Sequence, residues 1–174
     1  MAEDLNVLAL DISKRATGWT GQKSDGTPIF GTLRDVAIQS DLGRAGMVFS
    51  DWLCDMIDVH KPDLIGIEAP AIAGSGIVLS LDEAMLLIGL AFLANVIAAM
   101  NGCRFQRVAV QTVRKHFVGH GRPANPKAAV MARCKQLGWK CANTDESDSA
   151  ALWFYLKATN DPGFRLVAEA PLST

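Results

Sequence analysis

Residues 5–34, LNVLALDISKRATGWTGQKSDGTPIFGTLR, decide the fold. Asn6-Val7-Leu8-Ala9-Leu10 is an apolar run of strand length that stops at Asp11. Ala16-Thr17-Gly18-Trp19-Thr20 and Pro28-Ile29-Phe30-Gly31-Thr32-Leu33 read as two further strands around the turn-forming Lys23-Ser24-Asp25-Gly26, so the stretch is an antiparallel meander. A charge at the C-terminal end of a mostly buried strand emerges at the rim of the sheet, where α/β folds bind ligands. Asp11 holds that position.

Working outward, residues 43–60 carry Met47, Trp52, Leu53, Met56 and Ile57 at helical spacing, and Lys61-Pro62 closes the helix. Asp63-Leu64-Ile65-Gly66-Ile67 is a second buried strand and delivers Glu68. A loop with Gly74 and Gly76, a long apolar helix, and a short strand at 107–110 follow. Residues 111–116 start a helix, 119–126 form a turn-rich loop, and 127–137 form another helix. A last helix over 145–159 turns Ala150, Ala151, Phe154 and Leu156 to the core. Three antiparallel strands followed by alternating helix and strand make a mixed α/β sheet. At 174 residues and 49% hydrophobic, the chain suits one domain with a full core. Residues 1–174 are therefore read as a single domain with a core at 5–158 and a loose tail at 161–174.

Asp145 and Asp148 stand three residues apart on the last helix and share a face. Asp145, the more so of the two, also suits a helix N-terminus for the dipole alone. Glu146 projects about 100° away from both and is left out of the candidate site. The net charge of −1 conceals an asymmetry: residues 84–144 hold nine Lys and Arg and no acid, so the other 8 basic and 18 acidic residues leave −10 elsewhere. Clustered cations of this kind neutralise phosphates. Cys54, Cys103, Cys134 and Cys141 show no CxxC pairing, and His60, His116 and His120 complete no zinc spacing. With an acidic start and no signal peptide, free thiols in a reducing cytoplasm are expected.

Residues 84–103, AMLLIGLAFLANVIAAMNGC, run uncharged for 20 residues and reach bilayer-spanning length. Two asparagines, two glycines and flanking soluble elements argue against a span. A helix apolar all round is buried on more than one side. The expected second cover is another copy of the chain, with Leu86, Leu90, Leu93 and Ile97 in a homodimer interface.

Four motifs in order resemble the RuvC-type Holliday-junction resolvases of the ribonuclease H-like nuclease superfamily. They are Asp11-Ile12-Ser13-Lys14-Arg15-Ala16-Thr17-Gly18-Trp19, Ile65-Gly66-Ile67-Glu68, the segment from Val113-Arg114-Lys115 through Val118-Gly119-His120-Gly121 to Lys127, and Asp145-Glu146-Ser147-Asp148-Ser149-Ala150-Ala151-Leu152. The resemblance implies a ribonuclease H-like mixed five-stranded sheet, with its first three strands antiparallel, flanked by helices. It further implies a structure-selective endonuclease that resolves Holliday junctions, or related branched DNA, by paired nicks from a homodimer. Asp11, Glu68, Asp145 and Asp148 would hold two Mg2+ per site, replaceable by Mn2+, with no small-molecule cofactor. Carboxylates suffice because Mg2+ prefers hard oxygen ligands and keeps several waters, and paired ions serve phosphodiester hydrolysis. Lys127, with Lys115 or Arg114, would meet the scissile phosphate. Lys14, Arg15 and Arg122 would meet flanking DNA.

One departure stands out. Family members commonly place an aromatic just after the catalytic Glu to wedge open the junction; here the loop reads Ala69-Pro70-Ala71-Ile72-Ala73-Gly74. Either Ile72 is the wedge, as apolar residues are in other DNA benders, or the preferred substrate is another branched DNA. Compact divergent members are often encoded by phages, which suits relaxed structure selectivity. Two rivals remain: a non-cleaving branched nucleic-acid binding module, and an actin- or sugar-kinase-type phosphotransferase. The second is weakened by the short chain and the absence of a Gly-rich phosphate loop after Asp11.

Overall fold

The computed structural model describes residues 4–34, 41–70, 79–119 and 124–164. Strand β1 (Val7–Ile12) pairs antiparallel with β2 (Ala16–Gln22), and β2 with β3 (Pro28–Arg34). On the other side of β1, β4 (Leu64–Glu68) and then β5 (Arg104–Val108) join in parallel, giving the order β3-β2-β1-β4-β5. Helices α1 (Leu42–His60) and α2 (Leu81–Met100) cover one face of the sheet. Helices α3 (Val110–Val118), α4 (Pro126–Gln136) and α5 (Thr144–Asn160) cover the other. This is the mixed five-stranded sheet with three leading antiparallel strands.

Alternation along β1 explains its uniform apolarity. Val7 and Ala9 enter the core under α5, while Leu8 and Leu10 enter the core under α1 and α2, and all four are fully buried. The same parity sends Asp11 to the α5 side. On β4, Leu64 faces α5 and Ile65 and Ile67 face away, so Glu68 also lies on the α5 side. Leu10 pairs with Ile67 in register, which brings Asp11 and Glu68 to one edge of the sheet.

All the described helices but α3 start where a side chain satisfies a free backbone amide. Asp41, Ser80, Asn125 and Asn143 accept from Gly43, Glu83, Ala128 and Glu146 respectively, and Ser80 with Glu83 closes a full capping box. At the far end of the sheet a buried Lys157 ammonium donates to Asp161 and the Leu5 carbonyl at 2.7 Å each, and pairs with Asp4. Asp161 is buried with it, so the chain is anchored through that residue rather than loose from it.

Three expectations are corrected. The fifth strand lies at Arg104–Val108, not 107–110; as an edge strand with Arg104 and Arg107 exposed, it lacks the apolar run that marks a buried one. Met47 is 67% exposed, and Ala45 and Phe49 fill α1's buried face instead. On α2 the residues expected in a homodimer interface are core: Leu86, Leu90 and Ile97 are buried against the sheet and α1, and Leu93 packs on the same cluster. The face left uncovered carries Leu81, Met85, Ile88, Phe92 and Met100. By length and composition α2 could cross a membrane, yet one side of it is built into this core.

Candidate active site

Glycine at position 18 fixes how α5 meets the sheet. Gly18 pairs with Asp11 across β2 and β1, and a Cβ there would lie 2.0 Å from the Asp145 carbonyl oxygen. The first turn of α5 thus rests on bare backbone beside Asp11, the close approach that a strand glycine permits. At the other end of the helix, a Cβ on Gly66 of β4 would meet Leu156 Cδ1 at 2.2 Å. Between these two points small residues keep α5 low on the sheet: Ser147, Ser149, Ala150 and Ala151 are all buried, and Thr20 and Ser149 share a hydroxyl hydrogen bond of 2.8 Å.

Glu146 locks the N-terminus of α5. It accepts from the Thr32 hydroxyl at 3.0 Å, from the Ala142 amide at 2.7 Å and from the Asn143 side chain at 3.2 Å. It is buried as a structural bracket facing β3. With the helix fixed this way, Asp145 and Asp148 project toward the sheet edge that carries Asp11 and Glu68.

Neighbouring acids act on Asp11, Glu68 and Asp148. Burial, followed by the charges of Asp148 and Asp145, raises the Asp11 carboxyl to about 7, against the pull of Lys127 and Arg114. Although Asp11 keeps some exposed surface, its carboxyl is closely surrounded by protein atoms. Burial, then Asp11 and Asp148, pushes Glu68 well above the usual carboxylate range, again opposed by Arg114 and Lys127. Asp148 is raised chiefly by burial, with Lys127 and Arg114 opposing and Asp145 adding. Desolvated like charges are the physical cause throughout.

Lys127 reaches the site from the first turn of α4, and Arg114 from α3. Lys127 lies 3.4 Å from the Thr144 hydroxyl at the start of α5. Arg114 acts on the carboxylates, whereas Lys115 lines a separate groove with Gln111, Thr112, His116 and Tyr155. His116 packs against Phe154 and Tyr155, away from the acids. Lys14 pairs with Glu83 at the α2 N-terminus, and Arg15 is exposed in the turn after β1. Ile72, His120 and Arg122 lie outside the described residues.

Among the described residues no three His, Cys, Asp or Glu side chains are drawn tightly enough together to form a finished cation cage. Their mutual electrostatic effect is nevertheless explicit, and the donor set fits a hard cation. Four carboxylates face two cations, Arg114 and Lys127, which leaves a formal −2 when all are ionised. Oxygen-only donors with that surplus suit Mg2+ or Mn2+, which retain waters, rather than thiolate- or imidazole-seeking metals. Sequence reasoning missed Gly18's role and the Glu146 bracket. The signal for the first was a glycine inside a strand pattern.

Fold and site together define a ribonuclease H-like α/β domain with a carboxylate centre at the sheet's C-terminal edge. No protein-family model matches the sequence, and no curated protein matches it. Solved structures do. Thermus thermophilus RuvC aligns with a TM-score of 0.65 at 14% identity, covering 86% of this chain and 91% of that one. T. thermophilus RuvC in complex with Holliday junction substrate gives a TM-score of 0.65 at 12% identity, over 89% of this chain and 96% of that one. The yeast mitochondrial Holliday junction resolvase Ydc2 gives 0.59 at 13% identity, over 89% and 80%. The chain has the fold of RuvC-type resolvases.

Proposed function

We propose that this chain is a metal-dependent, structure-selective DNA endonuclease that nicks four-way or related branched junctions as a homodimer with one site per subunit. The observation that carries the reading is the meeting of Asp11, Glu68, Asp145 and Asp148 with Arg114 and Lys127 at one sheet edge. A fold shared with a protein solved on a Holliday junction supports branched DNA as the substrate class.

Asp11, Glu68 and Asp145 or Asp148 would hold the Mg2+ ions. When bound, these ions activate water and neutralise charge on the phosphoryl group. The chain's own residues do the rest. Arg114 and Lys127 meet the scissile phosphate's non-bridging oxygens, where their positive charge favours the transition state. Lys14, Arg15, Lys115 and Arg122 contact flanking phosphates, which fix register without reading sequence. Gly18 holds α5 close enough for its acids to share a phosphate with Asp11. We place the enzyme in a reducing cytoplasm, where its four cysteines stay free.

For the dimer, the uncovered α2 face replaces the residues first expected there. Leu81 and Met85 are 74% and 51% exposed, one turn apart at the start of α2, and form an apolar patch that a second copy would cover. Two equivalent sites at fixed spacing match a two-fold junction.

Because the described residues hold no closed cluster of ligands, a non-cleaving binding module is the second reading. Labelled junction, flap and linear duplex, incubated with and without Mg2+, separate the two. The nuclease gives junction products only with Mg2+ and none for Asp11→Asn. The module binds without Mg2+ and yields no products.

A further inference from the structure

Residues 69–74 include no aromatic, but the fold places two, from other elements, around Ala69 and Pro70. On the α2 side of the sheet edge lies an open groove of about 520 Å³, lined by Ile67, Pro70, Phe92, Phe105, Asn95 and Arg107. That volume is in the range of about 300–1,000 Å³ typical of small-ligand sites. Its place is set by β4: Ile67 floors the groove and Glu68, the next residue, faces the carboxylate centre on the opposite side. Phe105 and Arg107 are two apart on β5 and therefore share a face. Asn95 and Arg107 are exposed, so their polar ends are open to an entering group.

We propose that this groove receives an unpaired nucleobase of the DNA strand whose phosphate sits at the carboxylate centre. The inference rests on the nuclease reading above. Phe92 and Phe105 offer aromatic surfaces of the kind on which bases stack irrespective of sequence. The Arg107 guanidinium can stack on a base or meet its phosphate, and the Asn95 amide can both donate to and accept from a base edge. Arg107 also belongs to the acid-free, nine-cation segment, so its charge complements a nucleic-acid strand. Ile67 and Ala69 of the groove flank Glu68 of the carboxylate centre in the chain, so a strand turning over the end of β4 would pass from one to the other. Base capture here would hold the crossover open in place of a wedge from the loop after Glu68. The competing occupant is an apolar side chain of a second copy, since Phe92 is also exposed on α2.

The test uses Asp11→Asn, so that DNA stays intact, with and without the added pair Asn95→Ala and Arg107→Gln. Binding is measured to a four-way junction and to the same junction with an abasic residue stepped through each position beside the crossover. Base capture predicts that the added pair weakens the intact junction about tenfold, in line with a lost stacking and hydrogen-bonding site. At one abasic position the same pair should cost nothing. An equal loss on every junction would mark a plain phosphate contact and overturn the proposal, as would no loss on any. A shift from dimer to monomer in sedimentation for the added pair would assign the groove to the second copy and overturn it too. Absence of any preference for the junction over linear duplex in the Asp11→Asn parent would instead bring down the nuclease reading itself, and this inference with it.

Discussion

Asp11 is the residue on which the chemistry and the stability of the site conflict. Its folded carboxyl titrates near 7, whereas its ordinary value is 3.8. The unfolded chain therefore releases this proton first. The penalty on folding is absent below the ordinary value, grows as pH rises, and is complete above about 7. Asn cannot ionise, so Asp11→Asn should stabilise the metal-free protein at pH 8 by up to about 4 kcal/mol, at about 1.4 kcal/mol per unit, and by much less at pH 5. Denaturant unfolding of both chains in EDTA at the two pH values checks this; a gap that shrinks as pH rises would refute it. Mg2+ should stabilise the native chain at pH 8 and leave Asp11→Asn nearly unmoved, by mass action on the folded state. At this scale Asp11 and Glu68 were legible because each ends an apolar run. Arg114 was not distinguishable from Lys115, because the phase of α3 against the sheet is a tertiary property; only the fold turns one toward the acids. Replacing Lys115 with Ala should lower the salt dependence of DNA binding by about one unit of slope and leave the single-turnover rate intact. Lys127→Ala should lower that rate.

Among the elements, α5 governs the site and α2 the proposed assembly. Gly18→Ala places a methyl group against the Asp145 backbone, which cannot swing aside as a side chain end can. The helix must lift, at a stability cost of about 1–3 kcal/mol from overpacking. A displacement of its acids by about 1 Å should lower the cleavage rate about a hundredfold. Circular dichroism melts and single-turnover cleavage measure the two effects, and a fully active Gly18→Ala would mean that α5 is not positioned this way. On α2, Leu90→Glu should unfold the chain, because Leu90 is 2% exposed and an unpaired charge there has no compensation. Met85→Glu lies on the uncovered patch and should yield folded monomers in sedimentation; a persistent dimer would move the interface elsewhere. The existence of α2 was plain from 20 uncharged residues, but its orientation was not. A helix apolar on all sides carries no phase, so the sequence could not say which stripe meets the core. In β5 the exposed Arg104 and Arg107 masked the strand's start for a related reason: an edge strand is only half covered.

For the whole molecule, two kinds of constraint made the topology readable. The β1–β2–β3 meander is local, joined by short turns with their own residue chemistry. The parallel additions of β4 and β5 follow from strands separated by helices. What stayed hidden was the contact of distant segments: Gly18 with Asp145, Glu146 with Thr32, and Lys157 with Asp4 and Asp161. Those contacts bring a first strand, a fourth strand and a last helix to one edge, and the cations of α3 and α4 to meet them there. The central claim is that this edge is a phosphodiesterase centre. Its most direct test is the single-turnover rate of junction nicking in Mg2+ for the native chain, Asp11→Asn, Glu68→Gln and Asp148→Asn at saturating protein. Losses of about a thousandfold or more in each variant, about 4 kcal/mol of transition-state stabilisation, are predicted with junction binding retained. Cleavage that persists near the native rate in any of the three would contradict the assignment.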